Sequence, residues 1–281
     1  MKSFLEKVLE DVQRKDIDIE KACFVFPNKR SSQVFKTLLL QTTKRPFFAP
    51  TIESIDSFII KISGLKELKK SRALFKLFSI YSSTNKDNNL EAFISWGGTF
   101  INDTIEVEQN LLEVQVVLKE LAEINKIKNW GENNSKDVEA TLFWEQLPKL
   151  YQSFKKKLLD NQEGTKGICY SEAQKNLEHY KDANKDIKHV FIGLNALSKS
   201  EELIIKELLS FNQGEIYWDI DQSFINNKNH GAAHFIKKYK NTWDHYIKNS
   251  FNWISEEFKG PKTIRIVEAT KSIGQAKEIG D

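Results

Sequence analysis

A strand–helix–strand pattern near residue 200 constrains the fold more than any other stretch of the chain. The apolar run Val190-Phe-Ile-Gly-Leu-Asn195 is followed by helical periodicity from Ser198 to Leu209, and a second strand pattern begins at Gly214. Ser198 with Glu201 three positions later is the signature of a capping box, which marks the start of a helix. Two strands joined through one helix usually pair in parallel, so the sequence predicts an α/β fold with a mostly parallel sheet. Ligands of such sheets bind at the carboxyl ends of the strands.

Composition limits the class of protein without selecting a function. Apolar residues make up 40% of the 281-residue chain, which is enough for a packed core, and the formal net charge is only +3. That charge is too small to indicate nucleic-acid binding unless the cations are clustered. Cys23 and Cys169 lie far apart without a CxxC motif, which is typical of reduced thiols in a cytoplasmic protein. The N-terminus does not read as a signal peptide, and no run approaches the ~20 apolar residues of a membrane span, so we expect no membrane contact.

The first 64 residues add two further segments to the sheet core. Residues 2–14 have the pattern of an amphipathic helix, 22–27 that of a buried strand, and 46–51 that of an extended segment before a helix that Gly64 ends. The turn Asn28-Lys-Arg-Ser-Ser32 leads into a helix that Ser31 or Ser32 is expected to cap. Backbone amides at that helix start, beside Lys29 and Arg30, form a candidate phosphate seat. The alternative is an ordinary strand–helix turn with two solvated cations.

The middle of the chain has a different character. Residues 66–186 show helical periodicity and no strand alternation, with loops near 82–89, 131–135 and 161–167. Ser171 is expected to cap the last of these helices. We predict that residues 1–64 and 187–262 form one α/β unit and that 65–186 are an all-helical insertion. Helices are expected at 232–240, 242–249 and 272–279 and a strand at 263–269, so that 263–281 begin a truncated second domain.

Catalytic motifs are missing or incomplete. The chain has no GxxxxGK[ST], GxGxxG or GxSxG motif. His230, His234 and His245 lack an acidic or cysteine partner at useful spacing, so we predict no metal site. Asp219 and Asp221 are expected on opposite faces of a strand, which argues against a two-carboxylate metal clamp. Two copies of the E-x-K half of a nuclease signature, at 67–69 and 257–259, lack a preceding Pro-Asp strand. We therefore expect no catalytic residue, no cofactor and no metal in this chain.

Three segments together resemble motifs of the superfamily 1, UvrD-type DNA helicases. Residues 24–32 (Phe-Val-Phe-Pro-Asn-Lys-Arg-Ser-Ser) resemble motif Ia, usually T-F-T-N-K-A-A. Residues 50–58 (Pro-Thr-Ile-Glu-Ser-Ile-Asp-Ser-Phe) resemble motif Ib, usually G-T-F-H-S-F, and residues 218–224 (Trp-Asp-Ile-Asp-Gln-Ser-Phe) resemble motif III, usually G-D-x-D-Q-S-I. The resemblance implies a RecA-like, P-loop NTPase-type core, helicase domain 1A, with the helical insertion as domain 1B.

The departures from that family concern its catalytic residues. The family's P-loop strand precedes its first helix, and this chain begins at that helix. Gly193 and Leu194 stand where motif II carries the two acids that hold Mg²⁺ and orient the attacking water. An inactivated helicase domain of this kind is a hallmark of AddB-type subunits of helicase–nuclease complexes that process DNA breaks. Their PD-(D/E)xK nuclease domain lies at the far C-terminus, outside this chain.

The resemblance assigns two groups of residues and two partners. It implies weak, non-specific contact with single-stranded DNA through Asn28, Lys29, Arg30, Ser31, Thr51 and Ser54, and a degenerate nucleotide site at Gly193, Leu194, Asp219 and Gln222. A helicase–nuclease partner subunit is also implied, with no ATPase, helicase or nuclease activity in this chain itself. Two alternatives stay open: a helical protein-interaction scaffold without DNA contact, and a nucleotide-binding enzyme with an unusual site. DNA binding and the scaffold alternative can be distinguished by whether the candidate DNA-binding residues share one exposed face.

Overall fold

The computed structural model describes residues 2–42, 46–84, 89–128, 135–227, 230–254, 256–269 and 271–280. The strands are β1 (Ala22–Phe26), β2 (Thr51–Ser54), β3 (Lys66–Glu67), β4 (Glu163–Gly164), β5 (Lys188–Ile192) and β6 (Gly214–Tyr217). The helices are α1 (Phe4–Arg14), α2 (Lys29–Thr42), α3 (Ile55–Ser63), α4 (Lys70–Thr84), α5 (Leu90–Gln109), α6 (Val114–Lys128), α7 (Ser135–Asp160), α8 (Lys166–Ala183), α9 (Lys199–Ser210), α10 (Gln222–Asn226), α11 (His234–Thr242), α12 (His245–Lys248) and α13 (Ser272–Gly280). The protein is thus α/β and mostly helical.

Four parallel strands form the central sheet in the order β2-β1-β5-β6. In register, Phe26 of β1 lies beside Ser54 of β2, and Ile192 of β5 lies beside Tyr217 of β6. The buried strand predicted at 22–27 and the two strands predicted on either side of the helix at 198–209 are therefore parallel neighbours in one sheet, which confirms the mostly parallel sheet expected from the sequence. The capping box that opens α9 is also present, with Ser198 Oγ accepting from the Glu201 amide and Glu201 from the Ser198 amide.

Both faces of the sheet are buried, as expected of parallel strands. One face packs Cys23, Val25, Phe191 and Ile216 against α3, α8, α9 and α11. The other packs Phe24, Phe26, Val190, Ile192 and Tyr217 against α1 and α2. The alternation along each strand assigns successive side chains to opposite faces, so every residue of β1 is buried.

Helices α4 to α7 build a separate apolar core, with Leu77, Phe93, Ile101, Phe154 and Leu158 fully or almost fully buried. The prediction that residues 66–186 hold no strand is wrong at β3 and β4, which pair in parallel over two residues each. Helix α8 contacts both cores: Ile168 packs with α4–α7, whereas Tyr170, Ala173 and Leu177 pack on the sheet.

Three local predictions need correction. Asn28, and neither Ser31 nor Ser32, caps α2, since Asn28 Oδ1 accepts the Ser31 amide at 2.9 Å. Helix α8 begins one turn before Ser171, because Thr165 Oγ1 accepts the Ile168 amide at 3.3 Å. Residues 263–269 form no strand, since no sheet edge among the described residues pairs with them.

The remaining helix predictions differ in detail. The helix expected at 232–240 is a short 3-10 turn followed by α11, that at 242–249 shortens to α12, and α13 matches the one expected at 272–279. The parts of the predicted loops at 85–88 and 131–134 lie outside the described residues.

Candidate nucleic-acid interface

The turn between β1 and α2 stands at the carboxyl edge of the sheet. Asn28 Oδ1 accepts both the Ser31 amide at 2.9 Å and the Ser31 hydroxyl at 3.2 Å, and Ser32 Oγ donates to the Asn28 carbonyl at 3.1 Å. Lys29 and Arg30 are exposed, and no carboxylate of the described residues lies within 4.0 Å of either cation. Hydrogen bonds of Asn28 with Ser31 and Ser32 hold the turn together, and its two cations are exposed to solvent beside the first amides of α2.

Thr51 and Ser54 do not join this turn on one exposed face. The register of β2 places Thr51 beside Cys23, about 10 Å along the strand from Ser54 and towards the opposite edge of the sheet. Ser54 does lie at the carboxyl edge, but it is buried and caps α3, accepting the Ser57 amide at 3.3 Å. Of the six candidate DNA-binding residues, Asn28, Lys29, Arg30 and Ser31 therefore gather, and the other two do not.

Gly193 and Leu194 follow β5 at the same edge. Gly193 adopts the left-handed backbone conformation (φ 68°), which residues with a Cβ atom rarely adopt. Its amide donates to the Tyr217 carbonyl at 2.8 Å. The sharp turn then directs Leu194 into the core, where it is buried. Gly193 thus allows the sharp backbone turn, and the Leu194 side chain packs in the core. Neither side chain offers an oxygen ligand for a metal-bound nucleotide.

Asp219 and Asp221 lie beyond the end of β6, so neither belongs to the strand. The expectation that they occupy opposite faces is also wrong in principle, because residues two apart along a strand share a face. The residue Asp219 is exposed as a whole, but neighbouring groups partly desolvate its carboxyl group, and this raises its pKa. Asp221 caps α10, accepting the amides of Ser223 and Phe258, both at 2.8 Å. Partial burial favours the neutral form of Asp221, but these amides outweigh it and hold its pKa below the usual range. Gln222 opens α10.

A segment far along the chain covers this end of the edge, which no local sequence pattern indicated. Glu257 forms an ion pair with Lys7 of α1, and the Phe258 amide bonds Asp221. The ring of Phe258 lies 4.5 Å from that of Phe224. The carboxyl edge is therefore closed over β6 and open over β1, where Lys29 and Arg30 lie.

Other candidate groups do not form a reaction centre. Within the described residues, no three His, Cys, Asp or Glu side chains lie close enough to hold a metal ion. Glu67 is exposed in β3, and Glu257 is engaged by Lys7, so the two half-motifs of a nuclease stay isolated.

A buried histidine in the sheet was missed by sequence reasoning, because a single histidine in an apolar strand carries no pattern. His189 Nδ1 lies 3.1 Å from the Gln213 carbonyl, which can only accept, so this nitrogen carries the proton and Nε2 accepts from the Tyr180 hydroxyl at 2.9 Å. Burial lowers the pKa of His189 to about 4. The imidazole is a neutral, fully bonded part of the core.

Comparison with models of known protein families gives no match, and comparison with curated proteins gives none either. Among the described helices, none combines the length and apolarity needed to cross a membrane.

Proposed function

We propose that this chain is a catalytically inactive, helicase-like domain of an AddB-like protein that processes DNA breaks, and that it binds single-stranded DNA weakly and without sequence preference. The observation that supports this most directly is the open turn at the carboxyl edge, where exposed Lys29 and Arg30 flank the N-terminus of α2. Helix N-termini favour anions, and two unpaired cations beside one favour a phosphate chain.

Loss of ATP chemistry is the second part of the proposal. Phosphoryl transfer depends on positioned cations and on carboxylates that hold Mg²⁺. Gly193 and Leu194 cannot hold a metal, and Asp221 is occupied by two backbone amides. We expect isothermal titration calorimetry to detect no Mg-ATP binding in the physiological concentration range. Low-micromolar affinity for ATP would overturn the inactive-helicase reading.

The DNA contact is tested by removing both cations. Each neutralised phosphate of a single strand contributes about −0.7 to the slope of log affinity against log salt. We expect Lys29→Ala with Arg30→Ala to weaken the binding of fluorescent oligo-dT and of mixed-sequence single strands by the same factor. The same double variant should flatten the salt slope by about one to two. Fluorescence anisotropy at several salt concentrations measures both quantities.

The matched control removes two lysines that already have acidic partners. Lys175 pairs with Glu172 at 2.6 Å and Lys185 with Asp182 at 3.3 Å, both at the surface. Lys175→Ala with Lys185→Ala makes the same change in net charge and is expected to leave the salt slope unchanged. Equal affinities and slopes for wild type and the Lys29/Arg30 variant would place the DNA path elsewhere.

A scaffold that docks a partner subunit is the second candidate, favoured by the outer face of α6. Val116, Ile124 and Ile127 are each at least 48% exposed there, and large apolar side chains rarely gather on a free surface. If this function holds in place of DNA binding, Ile124→Glu with Ile127→Glu abolishes capture of the purified partner subunit, and oligo-dT gives no anisotropy change at low salt.

A further inference from the structure

A strongly basic segment of the chain lies outside the turn at the sheet edge. Residues 61–76 contain six Lys or Arg residues and a single acid, Glu67. Their net charge of +5 exceeds the +3 of the whole chain, so the remaining residues sum to −2. Exposed like charges this close repel one another, and a bound polyanion would relieve that repulsion.

Four of these cations are free to bind an anion. Lys61 and Lys76 lie within 4.0 Å of Glu53 and Glu163, respectively. The other four have no carboxylate of the described residues within 4.0 Å, and all four are exposed: Lys66, Lys69, Lys70 and Arg72. They occupy β3, the connection after it and the first turn of α4, which places them within a few residues of one another.

The fold brings the end of α7 to the same place. Strand β4, which begins three residues after α7, pairs with β3, so that Lys66 lies beside Glu163. A hydrogen bond from Lys76, together with the charges of Arg72 and Lys66, holds the pKa of Glu163 below its usual range. The last turns of α7 add Lys156 and Lys157, both exposed and neither within 4.0 Å of a described carboxylate. The pairing of β3 with β4 therefore brings the end of α7 close to β3 and to the start of α4, so that three elements with exposed cations are neighbours.

An exposed aromatic ring lies among these cations. Phe75 is 59% exposed, although it belongs to a helix that buries Ala73 and Leu77. It lies one helical turn after Arg72 and directly before Lys76, so its ring stands beside the basic surface. Cations that follow a phosphate backbone, combined with an aromatic ring on which a base can stack, are the features of single-strand recognition.

We infer that this surface, made by β3, the first turns of α4 and the end of α7, is a second binding site for single-stranded nucleic acid. Lys66, Lys69, Lys70 and Arg72 contact phosphates, and Phe75 stacks on a base. The site is separate from the turn at Asn28–Ser31: α3 starts at the carboxyl edge and runs about 13 Å away from it before the chain reaches Gly64. The inference therefore goes beyond the proposed function and does not depend on helicase ancestry.

The charge contribution is measured with Lys69→Ala, Lys70→Ala and Arg72→Ala combined, against fluorescent oligo-dT at several salt concentrations. Three lost phosphate contacts flatten the salt slope by about two, and affinity at low salt falls at least tenfold. The charge control combines Lys175→Ala and Lys185→Ala with Lys126→Ala, since Lys126 also has acidic partners, and it likewise removes three positive charges. Circular dichroism verifies that each variant is folded. An unchanged slope in the triple variant overturns the inference.

The ring contribution is measured separately. Phe75→Leu keeps an apolar side chain but loses the stacking surface, and we expect about a tenfold loss of affinity with the salt slope unchanged. Phe75→Trp is expected to restore the affinity. If Phe75→Leu binds as tightly as wild type, no base stacks on this residue and the single-strand assignment fails.

Two further comparisons identify the cause of any failure. If the triple variant behaves as wild type while the Lys29/Arg30 variant weakens, this inference fails and the proposed function stands. The opposite result retains this site and removes the sheet-edge turn from the DNA path. Vesicles of phosphatidylcholine with phosphatidylserine test the other polyanion: if the triple variant loses vesicle binding but keeps oligo-dT binding, the surface recognises lipid and the inference is overturned.

Discussion

The sheet region and the helical region of this protein are packed to different degrees. The sheet region (the four central strands with α1, α2, α3, α8, α9 and α11) buries both faces of its two inner strands, β1 and β5. The helical region (α4 to α7) leaves an apolar pocket of about 270 Å³, partly open to solvent, between α5, α6 and α7, with a lining that includes Trp96, Val117 and Phe143. A hydrogen-bonded register fixes every side chain of a strand, whereas helices can approach one another at several angles and leave gaps.

The same contrast holds for the buried titratable groups. In the sheet region, both ring nitrogens of His189 have hydrogen-bond partners. In the helical region, Glu108 is buried, and one carboxylate oxygen accepts from the Tyr151 hydroxyl and from Lys155 Nζ at 2.8 Å. Its other oxygen, Oε2, has no hydrogen-bond partner among the described residues. The two regions should therefore respond in opposite directions to pH.

The largest expected effect comes from truncating one aromatic ring in each region. Phe58 is buried against the rings of Tyr180, His189 and Phe191, so Phe58→Ala should lower the free energy of unfolding by about 3–5 kcal/mol. Phe143 borders the cavity and is only partly buried, so Phe143→Ala should cost about half as much. Urea denaturation followed by circular dichroism measures both, and equal losses would show that the helical region is packed as tightly as the sheet.

The second effect is the acid sensitivity of the sheet region. The folded-state pKa of His189, about 4, lies below that of a free histidine, so the unfolded chain binds the proton more readily. The contribution of His189 to the free energy of unfolding is therefore fully present above about pH 6.5. It decreases as the pH falls towards 4, by about 3 kcal/mol. His189→Gln keeps one donor and one acceptor and should remove this part of the pH dependence. Parallel unfolding curves of the two proteins across this pH range would contradict it.

The third effect has the opposite sign. Burial raises the pKa of Glu108, although Lys155 and Tyr151 oppose the rise. A carboxyl group that binds its proton more tightly when folded contributes stability below its unfolded pKa and loses it as the pH rises through its folded pKa. Glu108→Gln should therefore gain stability relative to wild type as the pH rises, because glutamine carries no charge to bury. A relative stability that is constant with pH would show that Lys155 fully compensates the buried charge.

The smallest effect is expected at the open turn. Lys29 and Arg30 are exposed and have no ion pair with a described residue, so Lys29→Ala with Arg30→Ala should change the free energy of unfolding by less than about 0.5 kcal/mol. Thermal unfolding followed by circular dichroism checks this value. A larger loss would mean that these cations support the sheet region and that a change in DNA binding by this variant reflects partial unfolding.

Sequence reasoning correctly located the elements whose formation depends on residues that are close together in the chain. The buried strand β1 and the capping box of α9 each depend on residues within one short window. The cap of α2 was misplaced because Asn28, Ser31 and Ser32 all carry a capping side chain, and only the backbone geometry selects among them. The strand expected at 263–269 has the right alternation, but a strand requires a partner, and no described edge pairs with it.

The candidate site was harder to predict because its limits are set by distant residues. Asp221 was read as part of a strand, yet it is held by Phe258, 37 positions later. Ser54 was assigned to the DNA path, yet its hydroxyl is used by the Ser57 amide of the helix that it starts. Helicase ancestry, the division into domains and the DNA contact stay predictions, and the experiments above address the DNA contact and the expected loss of ATP binding.

Helix α8 determines how separable the two regions are. Tyr170, Ala173 and Leu177 cover Phe58 and Phe191 of the sheet region, while Ile168, two residues before Tyr170 in the same helix, is fully buried among α4 to α7. Excision of residues 66–186 as a modular insert would therefore strip the sheet of one of its covering helices, whereas an excision that ends before Lys166 would keep that cover. The boundary for recombining these regions with those of other proteins thus lies at the start of α8, about twenty residues before the point where strand patterning resumes.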